Sequence, residues 1–119
     1  MHTSLEKTID YIEMPSRDLA ETKRFFTALF GWSFQDYGPD YAAFDDGRTT
    51  GGFYTSAKIS NVDAGAPLIV FYSKALEKTR KTVLGLGGKI TKEIFDFPGG
   101  RRFHFVEPGG GEFAIWSDQ

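Results

Sequence analysis

The chain contains no cysteine, which excludes disulfides, thiol nucleophiles and thiolate-bound metal. It has only two histidines, His2 and His104, so a zinc site would have few ring nitrogens to draw on. No apolar run approaches the ~18 residues of a membrane span. The opening MHTSLEKTIDY lacks the apolar stretch of a secretory signal. Charge of one sign is also scarce: a net charge of −2 gives no broad attraction to nucleic acid or to an anionic membrane, and neither partner is expected. No glycine-rich phosphate loop stands between a strand and a helix, because residues 108–111 lead into a strand-like run. No nucleophile-elbow motif supports the Ser, His and Asp combinations that can be picked out. These exclusions leave a cytoplasmic protein as the expectation.

What is present points to one ordered domain over residues 1–119. A chain of this length buries about two-thirds of its unfolded surface. Its 40% apolar content includes twelve phenylalanines, and its fourteen glycines gather at turn-like positions. The strongest pattern is internal repetition. Leu19-x-x-Thr22-Lys23-Arg24 recurs as Leu76-x-x-Thr79-Arg80-Lys81, and each copy runs on to a leucine and a glycine, Leu29 and Gly31, then Leu86 and Gly88. All offsets equal 57 (76 − 19, 79 − 22, 86 − 29, 88 − 31). Any two amphipathic helices share leucine and basic residues at helical spacing, but a common offset that includes the closing glycine favours duplication.

Local signals supply the elements. Residues 8–14 read as a strand that ends before Pro15. Ser16 or Asp18 then caps a helix that continues to Phe30 and stops at Gly31. Residues 32–37, 41–45 and 52–56 read as short strands separated by turn-forming residues 38–40 and 46–48. The second half repeats the plan with a strand at 68–72, a helix at 75–86 and strands at 89–97, 102–107 and 112–117. The expected fold is α+β: two tandem βαβββ modules whose mixed sheets curve into a cup, with helices on the outer face. Module 1 spans about 8–56, a polar linker about 57–66, and module 2 about 67–117.

Several stretches resemble the glyoxalase / bleomycin-resistance / extradiol-dioxygenase superfamily, the vicinal oxygen chelate proteins. They are Ile12-Glu13-Met14-Pro15-Ser16-Arg17-Asp18-Leu19, Phe25-Phe26 with Phe30-Gly31-Trp32, and Pro98-Gly99-Gly100-Arg101-Arg102-Phe103-His104-Phe105. The closing Glu107-Pro108-Gly109-Gly110-Gly111-Glu112-Phe113-Ala114-Ile115-Trp116 is similar to the family's Asp-Pro-x-Gly turn into the last strand. Metal-dependent members hold a divalent ion with His, Gln or Glu from four strands. The resemblance carries three of those positions onto Tyr11, Leu68 and Ala114, and the fourth into residues 51–54. A tyrosine, a leucine and an alanine do not form an ordinary divalent site. No metal and no cofactor is therefore expected, and metal-dependent glyoxalase or dioxygenase chemistry is disfavoured.

If those positions face the cup, period-two alternation puts Ile9, Tyr11, Glu13, Leu68, Val70, Tyr72, Glu112, Ala114 and Trp116 on its wall. Ile12, Met14, Ile69, Phe71, Phe113 and Ile115 then face the helices. The expected ligand contacts are Tyr11, Glu13, Tyr72, Glu112 and Trp116, with Arg101 and Arg102 able to reach an anion at the mouth. Tyr11 reads either as a phenol donor to a ligand or as a packed tyrosine with a paired hydroxyl. Glu13 and Glu112 read as a base or an amine-binding group, or as rim carboxylates in water or paired with Arg101 or Arg102. Glu13 and His104 are the weak catalytic candidates, and a lone histidine between aromatics is more often structural. The expected function is binding of a small molecule by a homodimer. The alternative is a glyoxalase-like lyase or isomerase with a displaced metal or with Glu13 as base. Whether any reaction is catalysed stays open.

Overall fold

The computed structural model describes residues 3–119; His2 lies outside the described residues. The chain folds in the order β1 (Tyr11–Ser16), α1 (Leu19–Phe30), β2 (Ser33–Asp36), β3 (Tyr41–Asp45), β4 (Thr50–Thr55), β5 (Ile69–Tyr72), α2 (Leu76–Gly85), β6 (Lys89–Phe97), β7 (Gly100–Val106) and β8 (Glu112–Ser117). This is the βαβββ unit twice, forming two four-stranded sheets ordered β1-β4-β3-β2 and β5-β8-β7-β6. In each sheet the first and last strands of the unit pair parallel and the other pairs are antiparallel. The fold is α+β with mixed sheets.

Local chemistry sets the element ends. Asp18 caps α1 by accepting from the Glu21 N–H at 3.2 Å, and Gly31 ends the helix in the left-handed region at φ 74°. Ser16, the other candidate cap, is instead the last residue of β1, buried and hydrogen-bonded to Thr22 at 2.7 Å. β1 starts at Tyr11, not at residue 8, and runs through Pro15. Proline is tolerated there because β1 is an edge strand, so a missing N–H need not break a ladder.

The duplication is visible in the interactions as well as in the elements. Ser16–Thr22 and Ser73–Thr79 are hydroxyl pairs at 2.7 Å. Lys23–Asp36 and Arg80–Glu93 tie each helix to its own sheet. Corresponding residues are again 57 apart (73 − 16, 79 − 22, 80 − 23, 93 − 36).

One aromatic core joins the halves. Phe26, fully buried on α1, stacks on Trp32 at 4.5 Å and on Phe53 at 5.8 Å in its own unit. The same ring meets Phe113 edge-on at 5.3 Å and Phe71 at 6.0 Å in the other unit. Phe25 reaches Phe105 at 5.8 Å. Met14, Phe113 and Ile115 are buried in this cluster, and Ile12, Ile69 and Phe71 pack against it. The strand residues between them point the other way, so each sheet keeps one face free of helices.

Candidate functional site

The free face of the first sheet is organised around a phenol. Tyr41, on β3, is paired with Tyr54 in the ladder, yet its ring leans toward Gly52. A Cβ on Gly52 would stand 2.0 Å from the Tyr41 hydroxyl, so only glycine leaves room for it. From there Tyr41 donates to Glu13 Oε2 at 2.8 Å and sits 2.7 Å from the Tyr11 hydroxyl. Since Tyr41 has one proton and directs it to the carboxylate, Tyr11 must donate to Tyr41. The Tyr11 oxygen is left with lone pairs only. Of the two readings of Tyr11, the paired hydroxyl is the one found, and a ligand there must bring the donor. Partial burial, reinforced by hydrogen bonds to Tyr11 and Glu13, raises the Tyr41 phenol far above its ordinary value, so it keeps its proton.

The free face of the second sheet carries cross-strand rows. Tyr72 pairs with Trp116, Trp116 with Arg102, and Arg102 with Phe95. One row along, Val70, Ala114, His104 and Lys92 follow the same order. Tyr72 meets Trp116 edge-on at 5.0 Å, and its hydroxyl donates to Asp118 at 2.5 Å. That bond raises the phenol and lowers the Asp118 carboxyl. His104 Nε2 lies 3.0 Å from Arg102 Nη2. A guanidinium can only donate, so His104 accepts there and carries its proton on Nδ1. Burial first, then the Arg102 charge, pushes the His104 imidazole below its ordinary value.

Tyr11 and Glu13 share a face and one hydrogen-bond chain, and Tyr72 and Trp116 share another face and a ring contact. Glu112 makes no pair with Arg101 or Arg102; it accepts from the Val62 N–H at 2.9 Å and the Thr91 hydroxyl at 2.8 Å, tying the segment before β5 to β8. Arg101 points to the helix side, where it is bidentate on Glu77 and holds that carboxyl down at about 2. Ile9 precedes β1 and is 82% exposed. Tyr11 lines a depression of about 560 Å³ with Ser33, Gln35, Tyr37 and Ala43. Trp116 lines a separate one of about 240 Å³ with Val70, Phe97, Gly99 and Arg102. Tyr41 and Arg102 are the residues that strand-by-strand reading underweights. No signal along a single strand marks Tyr41, because its ring lies over Gly52 of the neighbouring strand.

The donor set does not fit a divalent ion. Tyr11 is committed to Tyr41, Gly52 has no side chain, and Leu68 and Ala114 bring no donor. Among the described residues no cluster of three or more His, Asp or Glu is placed to hold a metal.

Comparison with known proteins agrees with this architecture. The family model for the Glyoxalase/Bleomycin resistance protein/Dioxygenase superfamily matches residues 8–115. A glyoxalase/bleomycin resistance protein/dioxygenase family enzyme from Burkholderia phytofirmans superposes with a TM-score of 0.75 at 15% identity, covering 92% of this chain and 98% of its own. The fosfomycin resistance protein FosX from Listeria monocytogenes, in complex with Mn(II) and a dihydroxypropylphosphonic acid, gives 0.76 at 15% identity, covering 94% and 90%. Lactoylglutathione lyase from Agrobacterium tumefaciens gives 0.70 at 16% identity, covering 96% of each chain. At these identities the likeness is one of fold. None of the curated proteins matches the chain in sequence.

Proposed function

The chain belongs to the Glyoxalase/Bleomycin resistance protein/Dioxygenase superfamily, and we propose that it binds a small molecule on the free faces of its sheets without a divalent metal. The observation that carries this reading is the Tyr11–Tyr41–Glu13 chain over Gly52. It offers an oriented polar group at Tyr11, the position that the resemblance assigns to a metal ligand in metal-dependent members. The first face offers lone pairs from Tyr11 beside a carboxylate, and so suits a hydroxyl, an amide N–H or an amine. Tyr72 and Trp116 supply an aromatic wall on the second face, with Glu112 at its border. Residues 8–56 and 67–117 act as the two modules, and each contributes one wall. We place the protein in the cytoplasm as a homodimer, for which the separate half-sites are the support.

The same chain favours a second reading. A proton taken from a ligand by the Tyr11 oxygen can be balanced by transfer from Tyr11 to Tyr41 and from Tyr41 to Glu13. Glu13 would then be the base of a lyase or isomerase, with the phenols as conduit. A thermal-shift screen of metabolites tests the binding reading, because a ligand that prefers the folded state raises the melting temperature. Hits on the first face are expected to lose their shift in Tyr11→Phe. Turnover of a hit that Glu13→Gln abolishes would establish the second reading instead. One equivalent of divalent metal by elemental analysis, removable by chelator with loss of stability, would overturn both.

A further inference from the structure

We propose that the Tyr72–Trp116–Arg102–Phe95 row is a binding site for a planar aromatic monocarboxylate, with Arg102 as its anchor. The inference rests on reading the free face of the second sheet as a ligand wall. Its starting point is an arginine without an anion. Arg24, Arg80 and Arg101 each hold a carboxylate, on Glu21, Glu93 and Glu77. Among the described residues Arg102 makes no ion pair, and neither do Arg17 and Arg48; those two are exposed, whereas Arg102 is half-buried. Its Nε is buried with no hydrogen-bond partner among the described residues, and its one acceptor there is the neutral His104 ring. Partial burial of a guanidinium without an opposite charge is unfavourable unless something arrives to neutralise it.

The surroundings say what that something is. The guanidinium carbon lies 5.8 Å from the Phe95 ring centre and 5.7 Å from that of Phe97, within cation–π range of both. Phe97 and Trp116 stand edge to face at 6.1 Å. Phe97, Trp116 and Arg102, with Val70 and Gly99, line the cavity of about 240 Å³, room for a one- or two-ring molecule, and Phe95 flanks the guanidinium without lining it. Nearby carboxylates are already engaged: Asp118 accepts from Tyr72, and Glu112 from Val62 and Thr91. A planar carboxylate matches the guanidinium fork, and an attached ring matches the aromatic wall. A phosphate fits less well. The second cation on this face, Lys92, stands on the Phe95 ring at 4.5 Å and does not line the cavity. His104, by accepting from Nη2, fixes the orientation of the fork and acts as a positioning residue.

Titration calorimetry with naphthoate, its neutral isostere naphthamide, and inorganic phosphate as competitor tests the proposal on the full chain. Naphthoate is expected to bind saturably, with naphthamide weaker by roughly tenfold or more, as for loss of a charged hydrogen-bonded pair. Arg102→Gln should lower naphthoate affinity by a similar factor, and phosphate should not displace it. Equal affinity for acid and amide, unchanged binding in Arg102→Gln, or displacement by phosphate would each overturn the proposal. If Arg102→Gln does not fold, the acid–amide comparison on the unaltered protein still decides. Naphthoate binding should persist in Tyr11→Phe. Failure of naphthoate alongside Tyr11-dependent hits in the metabolite screen would remove this site and leave the first face standing. Failure of both would remove the binding reading altogether.

Discussion

Glu107 is 1% exposed and accepts three hydrogen bonds, from Thr22 Oγ1 at 2.8 Å and from the backbone N–H groups of Gly109 and Gly111. Removing the acceptors in Glu107→Ala strands buried donors and should destabilise the protein by about 1–3 kcal/mol. Burial, the largest influence, raises the carboxyl above 4.5 despite those bonds. The folded state therefore holds the Glu107 proton to a higher pH than the unfolded state does. Its stabilising effect is full below the unfolded value and declines as pH rises through the folded one. The stability advantage of the natural protein over Glu107→Gln should thus be larger near about pH 4 than near about pH 7. Urea titrations at the two pH values read the difference, and a flat or opposite trend would remove the assigned shift. At Gly52 the expected result is of another kind. An added methyl collides with the far end of Tyr41 rather than with backbone, so Gly52→Ala should fold. Its effect should be to swing Tyr41 away and erase the thermal shift of any Tyr11-dependent ligand.

Helix α1 carries the element-scale case. Phe26 joins rings from both units, so Phe26→Ala opens a cavity at their junction and should cost about 3–5 kcal/mol, measured by chemical denaturation. A loss under ~1 kcal/mol would mean that the site collapses to fill the gap. Helices and turns were legible because their signals are local: Asp18 and Gly31 mark the ends of α1 with their own chemistry. The faces of β1, β5 and β8 were legible for a similar reason, since Met14 follows Glu13, Phe71 precedes Tyr72 and Phe113 follows Glu112 in a period-two pattern. Pro15 misled because a proline ends a central strand but not an edge strand, and edge position is a property of the assembled sheet. The polar contacts were less legible still. Tyr41 meets Glu13 and Tyr11 only because β3 and β4 pair in one register, and Arg102 meets Phe95 only through the pairing of β6 with β7. That β6–β7 pairing is interrupted by shifts around Lys92, which period-two counting along one strand does not anticipate.

At the scale of the molecule, two half-sites belong to one chain but open separately. Val70 and Tyr72 are 40% and 44% exposed, and Tyr11 is 42% exposed. Large side chains left open on both sheets are the argument for a covering partner. Light scattering at micromolar concentration should give the mass of two 13.3 kDa chains; a single-chain mass would count against the homodimer. The junction between the duplicated units has a consequence of its own. Phe26 is packed by Phe53 of one unit and Phe113 of the other, and Glu107 of the second unit receives Thr22 of the first. Neither unit can melt without exposing a ring or stranding a carboxylate that the other needs. The two repeats are thereby fused into one cooperative unit. Calorimetry should then show a single heat-absorption peak whose van't Hoff and measured enthalpies coincide, and two resolved peaks would show that the halves kept their independence.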